Sequence, residues 1–168
     1  GQIKTAIIGF RFGIATIFLV IISPKSRAGL FSKKMWRGGF ILGSLMFIGF
    51  WLQIWAIEDV TPAVSAFLTS LYVIFTAIIG VTLGWQRLSR WLICGTFLAT
   101  LGATFLGLSS GTGGVLQTEA FGWPEWLTVI GAIMFALHIL ATDRITTEIN
   151  PIQVTLTSFI VVTIEAII

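Results

Sequence analysis

Charge is what this chain has least of. Asp, Glu, Lys and Arg together make up 10% of 168 residues, whereas a soluble globule carries roughly a quarter, so a water-facing surface cannot be built from this composition. Cysteine is nearly absent: Cys94 stands alone, which excludes an internal disulfide and a thiolate metal site within one chain. There is one histidine, His138, and no metal is expected on it. No GxxxxGK[ST], H-E-x-x-H or G-x-S-x-G pattern occurs, so nucleotide-driven pumping, zinc-dependent hydrolysis and a serine-hydrolase elbow have no sequence support. Only four prolines are present, and each falls where a helix is expected to begin or end. No signal peptide with a charged start and a cleavage site is visible.

What the chain does have is apolar surface, 56% of its residues, arranged in long uninterrupted runs. Such runs read as membrane-crossing helices rather than barrel strands, because lipid obliges each segment to satisfy its own backbone hydrogen bonds. The fold class expected is all-α, a polytopic transmembrane helix bundle. The formal charge of +3 is no nucleic-acid footprint, since the bases sit in short loops between apolar runs and serve topology. The chain opens on Gly1 and closes on VVTIEAII inside an apolar run, which reads as a piece of a longer protein.

Six helices are predicted, at about 5–22, 36–57, 62–83, 91–108, 124–142 and 151–168. The third is the best marked: Thr61 can cap it, and Pro62 fits its first position, where a missing N–H costs nothing. Asn150 and Pro151 repeat that start for the sixth. Lys25, Arg27, Lys33, Lys34, Arg37, Arg87, Arg90 and Arg144 fall in loops 23–37, 84–90 and 143–150, which are therefore placed on the cytoplasmic side. The turn at Glu58 and Asp59 and the loop 109–123 carry acid and no base, and are placed outside. Lys4 is the exception. Trp36, Trp85 and Trp91 then sit at inner helix ends and Trp51, Trp55, Trp123 and Trp126 toward outer ends, where indole rings favour the interface.

Polar groups on apolar helices are the candidates for function. Ser65, Thr69, Tyr72 and Thr76 recur at spacings of four, three and four, so one narrow face of the third helix carries hydroxyls; it lines a cavity or contacts another helix. Gln53 shares a face with Gly49 and Ala56, and either bonds a solute or bridges helices. Arg11 lies six residues, about 9 Å, into its helix from Thr5, and is either a cavity-facing cation or an anchor that snorkels to the interface. Glu165 lies about 21 Å along its helix from Pro151, a carboxyl placed to relay protons or to pair structurally. His138 is read the same way, as a proton partner or a packed, hydrogen-bonded group. Thr96, Thr100 and Thr104 bond back to their own helix on this reading, and Gly39 and Gly43 make a GxxxG match.

Read together, GFWLQIWAIEDVTPAVSAFLTSLYVIFTAIIG, QRLSRW and GTFLATLGATFLGL resemble the first half of EamA-type proteins of the drug/metabolite transporter superfamily. FRFGIATIFLV resembles the second membrane helix of that family, where an arginine like Arg11 is usual, and NPIQVTLTSF resembles the restart of its second repeat. The resemblance implies ten helices in two inverted five-helix repeats, of which this chain holds six. Residues 1–108 are then the first repeat lacking its first helix, 109–123 an outer loop, and 124–168 the start of the second repeat. Two positions depart from the pattern: Gln86 precedes Arg87 where most members have a Glu-Arg pair, and Val73 stands where many have a proline.

The function so implied is movement of a small metabolite or drug-like solute across the cytoplasmic membrane by alternating access. Gln53, Ser65, Thr69, Tyr72 and Thr76 would line the pathway, and Arg11, His138 and Glu165 would serve as charge or proton partners. No cofactor, metal or nucleic acid is expected, and the partners are the solute, the bilayer and a second copy if chains pair to complete the pathway. Two other classes stay open on the residues alone: a structural or regulatory membrane subunit whose polar stripes are helix glue, and a membrane-embedded enzyme using His138 and Glu165 as acid and base.

Overall fold

The computed structural model describes residues 2–87, 89–109 and 122–168; the loop expected after Leu108 falls almost wholly outside them, as does the side chain of Lys4. Among the described residues there is no strand, and the elements are α1 (Gln2–Ile22), α2 (Lys33–Ala56), α3 (Pro62–Ser70), α4 (Tyr72–Thr82), α5 (Arg90–Ser109), α6 (Trp123–Thr146) and α7 (Pro151–Ile167), with a 3-10 stretch, Pro24–Phe31, between the first two. By length and composition, Thr5–Ile22, Lys33–Ala56, Val64–Thr82 and Trp123–Thr146 can each cross a membrane, and α7 is a shorter apolar helix. The chain is a polytopic helical membrane protein.

Helix ends follow local chemistry. Thr61 Oγ1 accepts from the Val64 N–H at 3.4 Å, and Asn150 Oδ1 accepts from the Ile152 N–H at 3.0 Å, each with proline in the first turn. At the start of α6, Glu125 reaches back to accept from the Gly122 N–H at 2.9 Å, which is half of a capping box. The α4 end is closed by Gly84 at φ +67°, with Trp85 N–H bonded to the Gly80 carbonyl at 2.8 Å. That is a Schellman cap, whose left-handed residue glycine adopts without steric cost.

Three boundaries differ from the sequence reading. Lys33, Lys34 and Arg37 lie on the first turns of α2, not in a loop; cations there oppose the helix dipole, and Lys34 is compensated by Glu148, 2.8 Å away. The fifth predicted helix runs on through Asp143 and Arg144 to Thr146. The third predicted helix, expected unbroken over 62–83, is interrupted at Leu71. Ser70 Oγ donates to the Phe67 carbonyl at 2.6 Å, and the Leu71 N–H is drawn to Leu68 at 3.2 Å. Back-bonding of this kind tightens and bends a helix without proline.

The chain packs as two compact units. In the first, Gly1–Trp51 with His138–Ile168, α7 is the buried element: Val154, Leu156, Thr157, Ser158, Val161, Val162 and Ala166 are all withdrawn from the surface. Phe12 of α1 meets Phe159 edge-on at 5.4 Å and Phe50 of α2 at 5.5 Å. Along α1, contacts with α7 run backwards, Gly9 against Ala166 and Gly13 against Thr163, so the two are antiparallel. Along α2 they run forwards, Gly38 against Val154 and Gly43 against Ser158 and Val161, so these two are parallel. A Cβ at Gly43 would stand 2.8 Å from the Ser158 carbonyl oxygen, which shows that the GxxxG face permits a close backbone approach.

In the second unit, Leu52–Leu137, Val60, Val64 and Leu68 form a core joined by Phe67, Leu71 and Val129. Helix α5 rests on α3 and α4 yet turns Trp91, Phe97, Leu98 and Phe105 outward. Exposed apolar side chains of that size are at home against lipid tails, not water.

Candidate functional site

Polar side chains buried on apolar helices need partners, and the partners of the candidates are as follows. In the second unit, Gln53 near the end of α2 donates from Nε2 to Thr69 Oγ1 on α3 at 3.0 Å. Two candidates expected separately are thus brought together. Ser65, one turn before Thr69, is 3% exposed. Thr76 Oγ1 donates to the Tyr72 carbonyl at 2.7 Å, and Tyr72 is half-buried. The interruption at Leu71 separates Ser65 and Thr69 on α3 from Tyr72 and Thr76 on α4.

In the first unit, Glu165 of α7 accepts at Oε1 from Ser44 Oγ of α2 at 2.5 Å, while its Oε2 is buried with no partner among the described residues. Ser44 was not singled out from sequence. The usable signal was its place directly after Gly43, where a small polar side chain follows the close-packing face. His138 of α6 bonds through Nδ1 to the Leu42 carbonyl of α2 at 3.0 Å. A carbonyl only accepts, so the bond requires the proton on Nδ1 and leaves Nε2 as the second ring nitrogen. The His138 carbonyl in turn accepts from Thr142 Oγ1 at 2.7 Å.

Arg11 is exposed, and no carboxylate pairs with it among the described residues. Its guanidinium lies over the Phe50 ring at 5.2 Å and near that of Phe12 at 5.9 Å. Arg11 therefore rests on aromatic faces of α1 and α2.

Lys34 in the first turn of α2 and Glu148 in the turn before α7 form an ion pair. The Lys34 hydrogen bond, and then its charge, hold the Glu148 carboxyl below its ordinary range. Gln153 Nε2 donates to the Lys25 carbonyl at 3.2 Å. Two loops that the sequence places on one side of the membrane are thus in contact.

Apolar helices carrying isolated, partnered polar groups suit several membrane functions, and similarity decides among them. Residues 4–108 match the EamA-like transporter family, more than half of the chain. The chain belongs to that family. Membership makes this a membrane transporter of the drug/metabolite transporter superfamily, and the family is one of transporters rather than enzymes. No curated protein and no solved structure matches it. Within this EamA-like chain the matched range takes in α2–α4 and nearly all of α1 and α5, with Arg11, Gln53, Ser65, Thr69, Tyr72 and Thr76 inside it and His138 and Glu165 beyond.

Proposed function

We propose that this EamA-like chain carries a small metabolite or drug-like solute across the cytoplasmic membrane by alternating access, with loops 23–37, 84–90 and 143–150 on the cytoplasmic side. The observation that carries the reading is the Gln53–Thr69 hydrogen bond. It joins an amide and a hydroxyl within otherwise apolar spans, one turn after buried Ser65 and two residues before a proline-free interruption at Leu71. An amide and a hydroxyl exchange hydrogen bonds with a polar solute at little cost, because each already has a partner when the solute is absent. Tyr72 and Thr76 extend the lining on α4, and the interruption supplies a place where the span can flex. Coupling belongs to a separate element: Glu165, held by Ser44 and with one oxygen unpartnered among the described residues, is the carboxyl offered to a proton or a cation. Arg11 and His138 support it as positioned charge and ring, the one resting on Phe50 and the other tied to α2.

Uptake into proteoliposomes made with the full-length protein tests this. Thr69→Val and Gln53→Ala are expected to lower transport at least about tenfold, the loss of a bond made to solute in the rate-limiting state. Glu165→Gln is expected to flatten the pH dependence while solute binding persists. Transport unchanged by alanine at Thr69, Tyr72 and Thr76 together would remove the lining assignment.

A further inference from the structure

A cavity of about 520 Å³ lies between α4 and α5, walled by Ile78 and Val81 on one side and Leu92, Ile93, Phe97 and Thr100 on the other. It offers almost nothing to a polar solute. The Thr100 hydroxyl is turned to the Thr96 carbonyl of its own helix at 2.7 Å, and that of Thr82 to the Ile79 carbonyl at 3.1 Å, so both present methyl groups. This is not a second stretch of the Gln53–Thr69 lining.

The lining residues Thr82 and Leu92 flank in sequence a turn of different character. The turn joining α4 to α5 carries Arg87 and Arg90, both exposed, and residues 83–90 contain no acid. Neither arginine has a carboxylate partner among the described residues, and the Arg90 guanidinium lies over the Trp91 ring at 5.9 Å. Trp85 and Trp91, both exposed, flank the turn as interfacial indoles do. An apolar slot alone admits any hydrocarbon, and a basic turn alone is a topology signal. Together, an apolar slot and, in the turn that joins its two walls, two arginines without a carboxylate partner among the described residues match one amphiphile.

We propose that the α4–α5 groove binds an anionic phospholipid, its headgroup phosphate on Arg87 and Arg90 and an acyl chain against Ile78, Val81, Ile93 and Phe97. The site stands apart from the solute reading and needs only that α4 and α5 lie in a bilayer. Zwitterionic lipid fits the slot but leaves the arginines facing a compensated headgroup, so the preference rests on charge.

Native mass spectrometry of the full-length protein tests it, in mild detergent with equal amounts of phosphatidylglycerol and phosphatidylcholine of identical chains. Retention of phosphatidylglycerol is expected to exceed that of phosphatidylcholine by about tenfold or more, given two basic residues near the surface. The double variant Arg87→Gln/Arg90→Gln should erase the preference, and Arg87→Lys/Arg90→Lys should keep most of it. Ala77→Phe, which narrows the groove without touching the arginines, should lower retention of both lipids. Equal retention by the unaltered protein, or a preference that survives the glutamine variant, would overturn the proposal. So would displacement of the lipid by excess inorganic phosphate, which would make the arginines a free-anion site. A dimer lost in Ala77→Phe with no retained lipid would assign the groove to a second copy and end the lipid reading.

Discussion

Among the described residues, Glu165 is held by a single short hydrogen bond. Ser44→Ala removes the only donor among the described residues to a carboxyl whose other oxygen is already buried without a partner among them, and it is expected to cost about 1–3 kcal/mol of stability, read from unfolding in detergent or bicelles. Glu165→Gln keeps an acceptor for Ser44 and should be far milder, so the pair of variants separates lost packing from lost hydrogen bonding. For Gln53 and Thr69 a double-mutant cycle to alanine gives the balance between glue and function: a coupling near 0.6 kcal/mol is the ordinary interhelical value, and transport loss well beyond it belongs to the solute. At the surface, Lys34→Ala should return Glu148 toward its ordinary pKa of 4.5, followed by NMR titration of that carboxyl. Because the folded value lies below the unfolded one, the contribution of the pair is present above the unfolded value and disappears as pH falls through the folded one. The difference in melting between the parent and Lys34→Ala should therefore vanish in acid.

Helices were legible from the sequence where their ends are local chemistry. Thr61 with Pro62 and Asn150 with Pro151 announce α3 and α7, because cap and proline act within one turn. The interruption at Leu71 was not legible: Leu71 is an ordinary helix former, and the cause lies in which way the Ser70 hydroxyl turns. Likewise GxxxG matches are common in a chain with 18 glycines, and only the seating of Gly43 against Ser158 and Val161 shows that this one is used. Gly43→Val is expected to destabilise the first unit by about 1–3 kcal/mol through overpacking, with a fall in melting temperature as the measurement. Gly84→Ala should cost about 1–2 kcal/mol by forcing a side chain into the left-handed region, with no effect on solute affinity.

For the whole chain, orientation is the property on which the function rests. The contact of Lys34 with Glu148 and of Gln153 with Lys25 ties the first cytoplasmic loop of the proposal to the third. Single cysteines placed in a Cys94→Ala background of the full-length protein give the check. Cysteine at Ser32, Gln86 or Thr147 should react with an impermeant maleimide only in inside-out vesicles, and cysteine at Asp59 only in right-side-out ones. Labelling of Ser32 and Thr147 from opposite faces would contradict both the topology and the contact between their loops.

The sequence by itself determined that this is a helical membrane protein, where its apolar runs lie and where two helices start. Lipid imposes its demand on every backbone amide separately, so the answer is written residue by residue. Tertiary structure alone decided who partners whom. Ser44 and Glu165 are 121 residues apart, and nothing in either neighbourhood names the other. Their meeting follows from α7 packing against both α1 and α2, an arrangement set by shape across the whole unit rather than by any one stretch of chain.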